Sequence, residues 1–173
     1  MLKKVLEYIT DLWYSKIRNR VMNMYGINIC DVAAILVNKF NNDSKTITQL
    51  KLQKMLYFIE AYYMAVYNKK RLYKEEFVRW AYGPVSKKIY DKYRCYMNLP
   101  ITVINFDDEI FLEDDVNDSI NQIYDDFGNL TSTQLIALTH RHGSPWYCTP
   151  QDEVISKEET KKWFKELFLG NGS

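Results

Sequence analysis

Glycine, proline, cysteine and histidine are all scarce in this chain of 173 residues, with 6, 4, 3 and 2 copies. With so few glycines there is no glycine-rich phosphate loop and no G-x-S-x-G nucleophile elbow. No internal repeat, low-complexity tract or interdomain linker interrupts the chain, whose length fits one domain with a real core. Cys30, Cys95 and Cys148 are far apart, odd in number and without a C-x-x-C pair, which argues against a disulfide framework and for a reducing compartment. No apolar run approaches the ~20 residues of a membrane span. The opening MLKKVLEYITDLWYSKIRNR has no continuous apolar stretch after its lysines, so it does not read as a secretory signal. The expected location is the cytoplasm, away from membranes. Net charge is +1, so no global field draws the protein to nucleic acid.

Aromatic residues are abundant: 14 Tyr, 8 Phe and 4 Trp. Such rings fill cores, and tyrosine and tryptophan also suit protein interfaces; a Tyr-, Lys- and Asn-rich composition equally fits an AT-rich coding sequence. Charge is unevenly spread. From Lys69 to Arg94 there are nine basic residues against Glu75, Glu76 and Asp91, whereas Asp107 to Asp126 holds nine acidic residues and no Lys or Arg. Either the two segments face each other or stand as solvated faces, or they polarise the surface toward a charged partner.

The hydrophobic pattern predicts an α+β fold: a predominantly α-helical single domain with a few short β-strands, including a hairpin. Leu2, Leu6, Ile9, Trp13 and Ile17 share one face of an N-terminal amphipathic helix, read as packed on its own domain. Asn28 to Phe40 gives a second helix. Thr48 caps a third, along which Leu52, Met55, Leu56, Ile59, Tyr62, Tyr63 and Val66 mark one apolar face. FVRWAY alternates as a strand that Gly83-Pro84 ends, with Pro84 in the first turn of the next helix. ITVIN and EIFLE read as a hairpin. Val116, Ile120, Ile123 and Phe127 mark a helix that Gly128 ends in the left-handed conformation. Ser132 caps the following helix, and Ser156 with Glu159 forms a capping box for the last, which stops at Gly170.

The chemistry-bearing residues do not add up to a reaction centre. In LTHRHGSPW, His140 and His142 with the later Cys148 offer three zinc ligands, whereas zinc normally takes four, the last a water in catalytic sites. The same stretch reads as a helix end: a histidine in the last turn beside exposed carbonyls, Gly143 in a left-handed conformation, a Ser144-Pro145 break, and Trp146 folded back onto the core. Cys148 lies close to His142 along the chain, but a nucleophile and its histidine normally meet across the fold, so this closeness carries little weight. The acidic block lacks the glycine a calcium loop needs for its turn. The expectation is no catalytic residue, no metal and no cofactor.

Three blocks carry a resemblance: KLQKMLYFIEAYYMAVYNKKRLY from Lys51, FVRWAYGPVSKKIYDKY from Phe77 and LIALTHRHGSPW from Leu135. In order, spacing and content they resemble the Panacea domain, the phage-associated, SocA-like antitoxin family, over roughly residues 28 to 168. Residues 26–173 would then form the Panacea-like domain and residues 1–25 an N-terminal helical extension. The resemblance implies a non-enzymatic, mostly helical bacterial or prophage protein that neutralises a toxin encoded beside it by direct binding. SocA-type members also act as proteolytic adaptors that hand the toxin to ClpXP. Carried over by motif position, Lys51, Gln53, Lys54, Tyr57, Trp80 and Tyr82 are the partner-binding candidates, with Lys51 and Lys54 expected at the surface. Leu52, Leu56 and Leu138 match the same pattern. Gly83, Pro84, Val85, Thr139, His140, Pro145 and Trp146 are the structural candidates, while His142 falls at a variable position. The alternative function is a DNA-binding regulator of its own operon or prophage. It draws on the basic and aromatic run from Lys69 to Arg94, although direct nucleic-acid binding is not the favoured reading.

Overall fold

The computed structural model describes residues 26–102, 110 and 112–170, together with Lys4, Thr10 and Trp13. Those three are helical and exposed; the rest of the expected N-terminal helix, and most of the ITVIN/EIFLE hairpin, lie outside the described residues. Seven α-helices and one antiparallel strand pair follow in the order α1 (Ile29–Asn42), α2 (Gln49–Val66), β1 (Val78–Trp80), β2 (Gly83–Val85), α3 (Lys87–Tyr93), a 3₁₀ turn (Arg94–Tyr96), α4 (Asp114–Phe127), α5 (Ser132–Thr139), α6 (Pro145–Cys148) and α7 (Lys157–Phe168). The α+β, mainly helical expectation holds.

Helix α2 is the axis of the domain. Thr48 starts it by accepting the Lys51 N–H, and no Gly or Pro interrupts its 18 residues. Helices α1, α3, α4, α5 and α7 and strand β2 all pack on it. The sequence predicts one apolar face, yet 13 of the 18 residues are buried. The six covering elements enclose most of its circumference, so Gln53, Lys54 and Glu60 are buried with the apolar residues. Phe58 is fully buried, and the rings of Tyr57, Phe127, Trp163, Phe164 and Phe168 surround it. Truncating such a ring to alanine costs about 3–5 kcal/mol.

Glu60 ties down the loop after α2. Its carboxylate accepts the N–H groups of Leu72 and Tyr73, each at 3.1 Å, and the Lys157 ammonium at 2.7 Å. Lys157 also donates to the Glu75 carbonyl. A buried carboxylate is tolerable only when its lone pairs are filled in this way. Between the two oppositely charged segments, Lys69 reaches Asp115 at 3.6 Å, while Arg71 and Lys88 pair with Glu76 and Glu75 of their own stretch.

Several local expectations are corrected. Gly83-Pro84-Val85 does not lead into a helix. It forms β2, in register Val78↔Val85, Arg79↔Pro84 and Trp80↔Gly83. Pro84 is tolerated because β2 is an edge strand, where an N–H is dispensable. The opposite edge of β1 is taken by the 152–155 segment, through Arg79 N–H to the Glu153 carbonyl and Ile155 N–H to the Phe77 carbonyl. Helix α3 therefore starts later, at Lys87. Gly128 follows α4 with right-handed angles, φ −61° and ψ −26°, so it does not act as a left-handed stop. Thr131, one residue before the predicted Ser132, caps α5 in a reciprocal box with Gln134. At α7 Ser156 accepts the Glu159 N–H, which is one half of the predicted box; no return bond to the Glu159 side chain forms among the described residues. Gly170 has φ +70° just past the helix end.

Candidate partner-binding site

The three sequence blocks meet at one buried point. Helix α2 brings Gln53 and Lys54, the hairpin brings residues 80–86, and the end of α5 brings Thr139 and His140. The Gln53 amide clamps the backbone of Ser86: its Nε2 donates to the Ser86 carbonyl at 3.1 Å, and its Oε1 accepts the Ser86 N–H at 2.9 Å. One residue along, the Lys54 ammonium donates to the Pro84 carbonyl at 2.8 Å. Both side chains are fully buried. Gly83 has φ +105°, and a Cβ there would lie 2.6 Å from Lys54 Cε, 3.0 Å from Lys54 Nζ and 3.0 Å from Thr139 Oγ1. Glycine is required both by backbone angle and by this close approach.

Burial governs the chemistry of the node. Desolvation lowers the Lys54 ammonium to about 7, because the charge gains one carbonyl partner and loses all its water. No salt bridge to Lys54 forms among the described residues. The surface position expected for Lys54 is thus corrected: the helix face that carries it is covered by the hairpin. Lys51 is half-buried. Its ammonium donates to the Gly128 carbonyl at 2.6 Å and lies 4.8 Å above the Phe40 ring. It satisfies a carbonyl at the C-terminal end of α4, where a cation is favoured. Tyr57 is also interior, hydrogen-bonded to Thr160 at 3.1 Å and edge-on to Phe77; burial pushes its phenol up.

The LTHRHGSPW corner forms the third side. His140 is the C-cap of α5, and its ring stacks on Trp146 with centroids 3.5 Å apart and planes 10° from parallel. Arg79 lies over the indole at 4.6 Å. The Trp146 indole N–H donates to the Trp80 carbonyl at 2.9 Å, pinning α6 to the hairpin, and Trp80 packs edge-on against Tyr90. His140 Nε2 is buried without a hydrogen-bond partner. Desolvation, then Lys54 and Arg79, lower its pKa. The ring is therefore neutral at pH 7, and its expected role as a cation on the helix dipole gives way to stacking. His142 turns elsewhere, against Tyr147. Among the described residues no group of three His, Cys, Asp or Glu side chains could hold a metal.

Sequence reasoning missed Ser144, which joins the corner together. Its hydroxyl donates to the Thr139 carbonyl at 2.6 Å and accepts the Tyr147 N–H at 3.1 Å. It thereby caps α6, with Pro145 at the first helical position. The Ser-Pro pair after a glycine was the available signal, since it opens a helix as readily as it breaks one. Gly143 takes the predicted positive φ, +78°. Of the partner-binding candidates, Tyr82 is the most open, 69% exposed at the hairpin tip. Trp80 is half-buried.

The buried lysine, the glycine hairpin and the stacked His–Trp corner all lie within one stretch of chain that matches a known family. The model of that family, described as "Antitoxin SocA-like, Panacea domain", matches residues 52–147, more than half of the chain. The chain belongs to this family. The match begins one residue after Lys51 and includes every other candidate named above. A curated relative, Antitoxin SocA from Caulobacter vibrioides (strain NA1000 / CB15N), is 29% identical over an alignment 128 residues long, and the match covers 66% of this chain and 66% of that protein. The aligned part is thus just under two thirds of the relative's own length. No solved structure matches.

Proposed function

We propose that this protein is an antitoxin that neutralises a protein toxin, encoded beside it, by binding it directly and without catalysis. The observation that carries the reading is the family match over residues 52–147, the same stretch that builds the buried node. The geometry supports it physically. The Gln53 and Lys54 hydrogen bonds hold the hairpin rigidly on α2 and leave Tyr82 projecting into solvent. A preorganised aromatic tip loses little entropy on binding. A finer step belongs to the same reading: the bound toxin is delivered to a ClpXP-type protease.

The test is co-expression with the neighbouring reading frame. Induction of that frame alone should arrest growth, co-induction of this protein should restore it, and the two should co-purify. Failure to rescue a toxic neighbour refutes the antitoxin reading. For the adaptor step, the toxin's half-life should shorten when this protein is present and lengthen when the protease is deleted; an unchanged half-life removes that step alone. A sequence-preferring gel shift of the upstream DNA that falls steeply with salt would instead favour the regulator reading.

A further inference from the structure

The hairpin tip belongs to a surface from which acidic residues are missing. Residues 77–90 and 127–151 contain no Asp or Glu at all, in a chain with 22 of them. The fold presses these two stretches together, through the Trp146 bond to the Trp80 carbonyl and the approach of Thr139 to Gly83. Besides small and neutral polar residues, they expose Tyr82, Lys87, Arg141, His142 and Tyr147, so every charged side chain they present is basic. Lys88 is already paired with Glu75, whereas Lys87 and Arg141 have no salt-bridge partner among the described residues. The patch has definite borders. Asp91 lies on α3, Asp152 and Glu153 stand beyond β1, and Glu159 and Glu166 line the cleft between α6 and α7.

From this charge pattern, and resting on the antitoxin reading, we propose that the corner formed by the hairpin tip, the start of α3 and the α5–α6 turn is the docking face for an acidic segment of the partner protein. Tyr82 and Tyr147 supply the apolar contact and Lys87 and Arg141 the complementary charge. A protein surface fits better than nucleic acid because the two unpaired cations are too few to neutralise a run of phosphates. Tyrosine and arginine are among the residue types enriched as anchors of protein interfaces. Carboxylates on the partner would meet no repelling charge in these two stretches, which favours both encounter and register.

The probe is the purified product of the neighbouring reading frame, titrated against the full chain. Tyr82→Ala should raise its Kd about 10-fold or more. The pair Lys87→Glu and Arg141→Glu should raise it further and flatten its dependence on salt. Lys165→Glu, an exposed reversal on α7, should leave the Kd within about two-fold. All four positions are exposed, so thermal unfolding of each variant should stay close to wild type, and a variant that melts early is replaced by Tyr82→Ser or Lys87→Gln. If the neighbour binds wild type and every variant alike, this docking face is wrong while the antitoxin reading stands. If the neighbour does not bind wild type at all, both fall. If the charge reversal instead abolishes a shift of upstream DNA, the corner is a nucleic-acid face and the proposal is overturned.

Discussion

Replacing Gly83 by alanine probes the node where the three sequence blocks meet. Two costs add. The backbone angle of φ +105° is one that a side chain rarely adopts, at about 1–3 kcal/mol. The new Cβ would also lie 2.6 Å from Lys54 Cε. A lysine tip normally swings away cheaply, but Lys54 is fully enclosed. Moving it breaks the 2.8 Å bond to the Pro84 carbonyl and leaves a buried donor unpaired, about 1–3 kcal/mol more. The expected loss is roughly 2–6 kcal/mol, a large share of the usual 5–15. Gly143→Ala is the internal control. Its φ of +78° is also positive, yet a Cβ there meets nothing within 4 Å, so only the backbone cost of about 1–2 kcal/mol applies. Urea unfolding followed by circular dichroism at pH 7 should show a much lower midpoint for Gly83→Ala at unchanged slope. Lys54→Ala combined with Gly83→Ala should cost less than the sum of the single changes. Equal losses for the two glycines, or strict additivity with Lys54, would refute the contact argument.

The buried ammonium also makes stability depend on pH. Lys54 titrates near 7 in the fold and at 10.5 when free, so between those values the unfolded chain binds a proton that the fold does not. Wild-type stability should therefore rise with pH from 7 to about 9.5, by at most ~1.4 kcal/mol per pH unit. Lys54→Met should lack that rise, and identical slopes in urea titrations would contradict it. Gln53→Leu leaves the buried Ser86 N–H unpaired, while the Ser86 carbonyl keeps its bond from the Tyr90 N–H, and should cost about 1–3 kcal/mol in thermal unfolding; a loss below about 0.5 kcal/mol would show that the clamp contributes little. Lys157→Met strands the Glu60 carboxylate in the interior, an expected loss of about 3–5 kcal/mol. Adding Glu60→Gln should recover part of it, and no recovery would mean the damage comes from packing alone.

The elements written in apolar spacing were legible in the sequence, and those written in hydrogen bonds were not. Thr48 and Ser156 announced two helix starts, because capping needs only a side-chain oxygen and a nearby N–H. The interior of α2 was hidden for the opposite reason. Lys54, Gln53 and Glu60 look like solvent residues by type, and only the hairpin and the 67–76 loop laid over them supply carbonyl and N–H partners. Pro84 was misplaced because its missing N–H suits an edge strand as well as a first helical turn. His140 looked like a ligand or a dipole-facing cation, since nothing local says that Trp146 and Arg79 will stack around it.

The same geometry divides the motif residues between two tasks. Gln53, Lys54, Gly83, Thr139 and Trp146 are bound to one another or to backbone across three elements, so a change at any of them disturbs the seat of the hairpin rather than a contact with a partner. They hold the fold together, and all five lie inside the stretch that the family model matches. Tyr82, Lys87, Arg141 and Tyr147 stand outside that node and can vary in type without breaking any of its hydrogen bonds. A scaffold built this way can keep one buried framework while its exposed rim is fitted to different acidic partners. Partner exchange between this chain and a relative should therefore follow a transplant of the exposed rim residues and not of the buried ones. The measurement is growth rescue by chimeras against each protein's own neighbour, and rescue that tracks Gln53, Lys54 or Trp146 instead would refute the division.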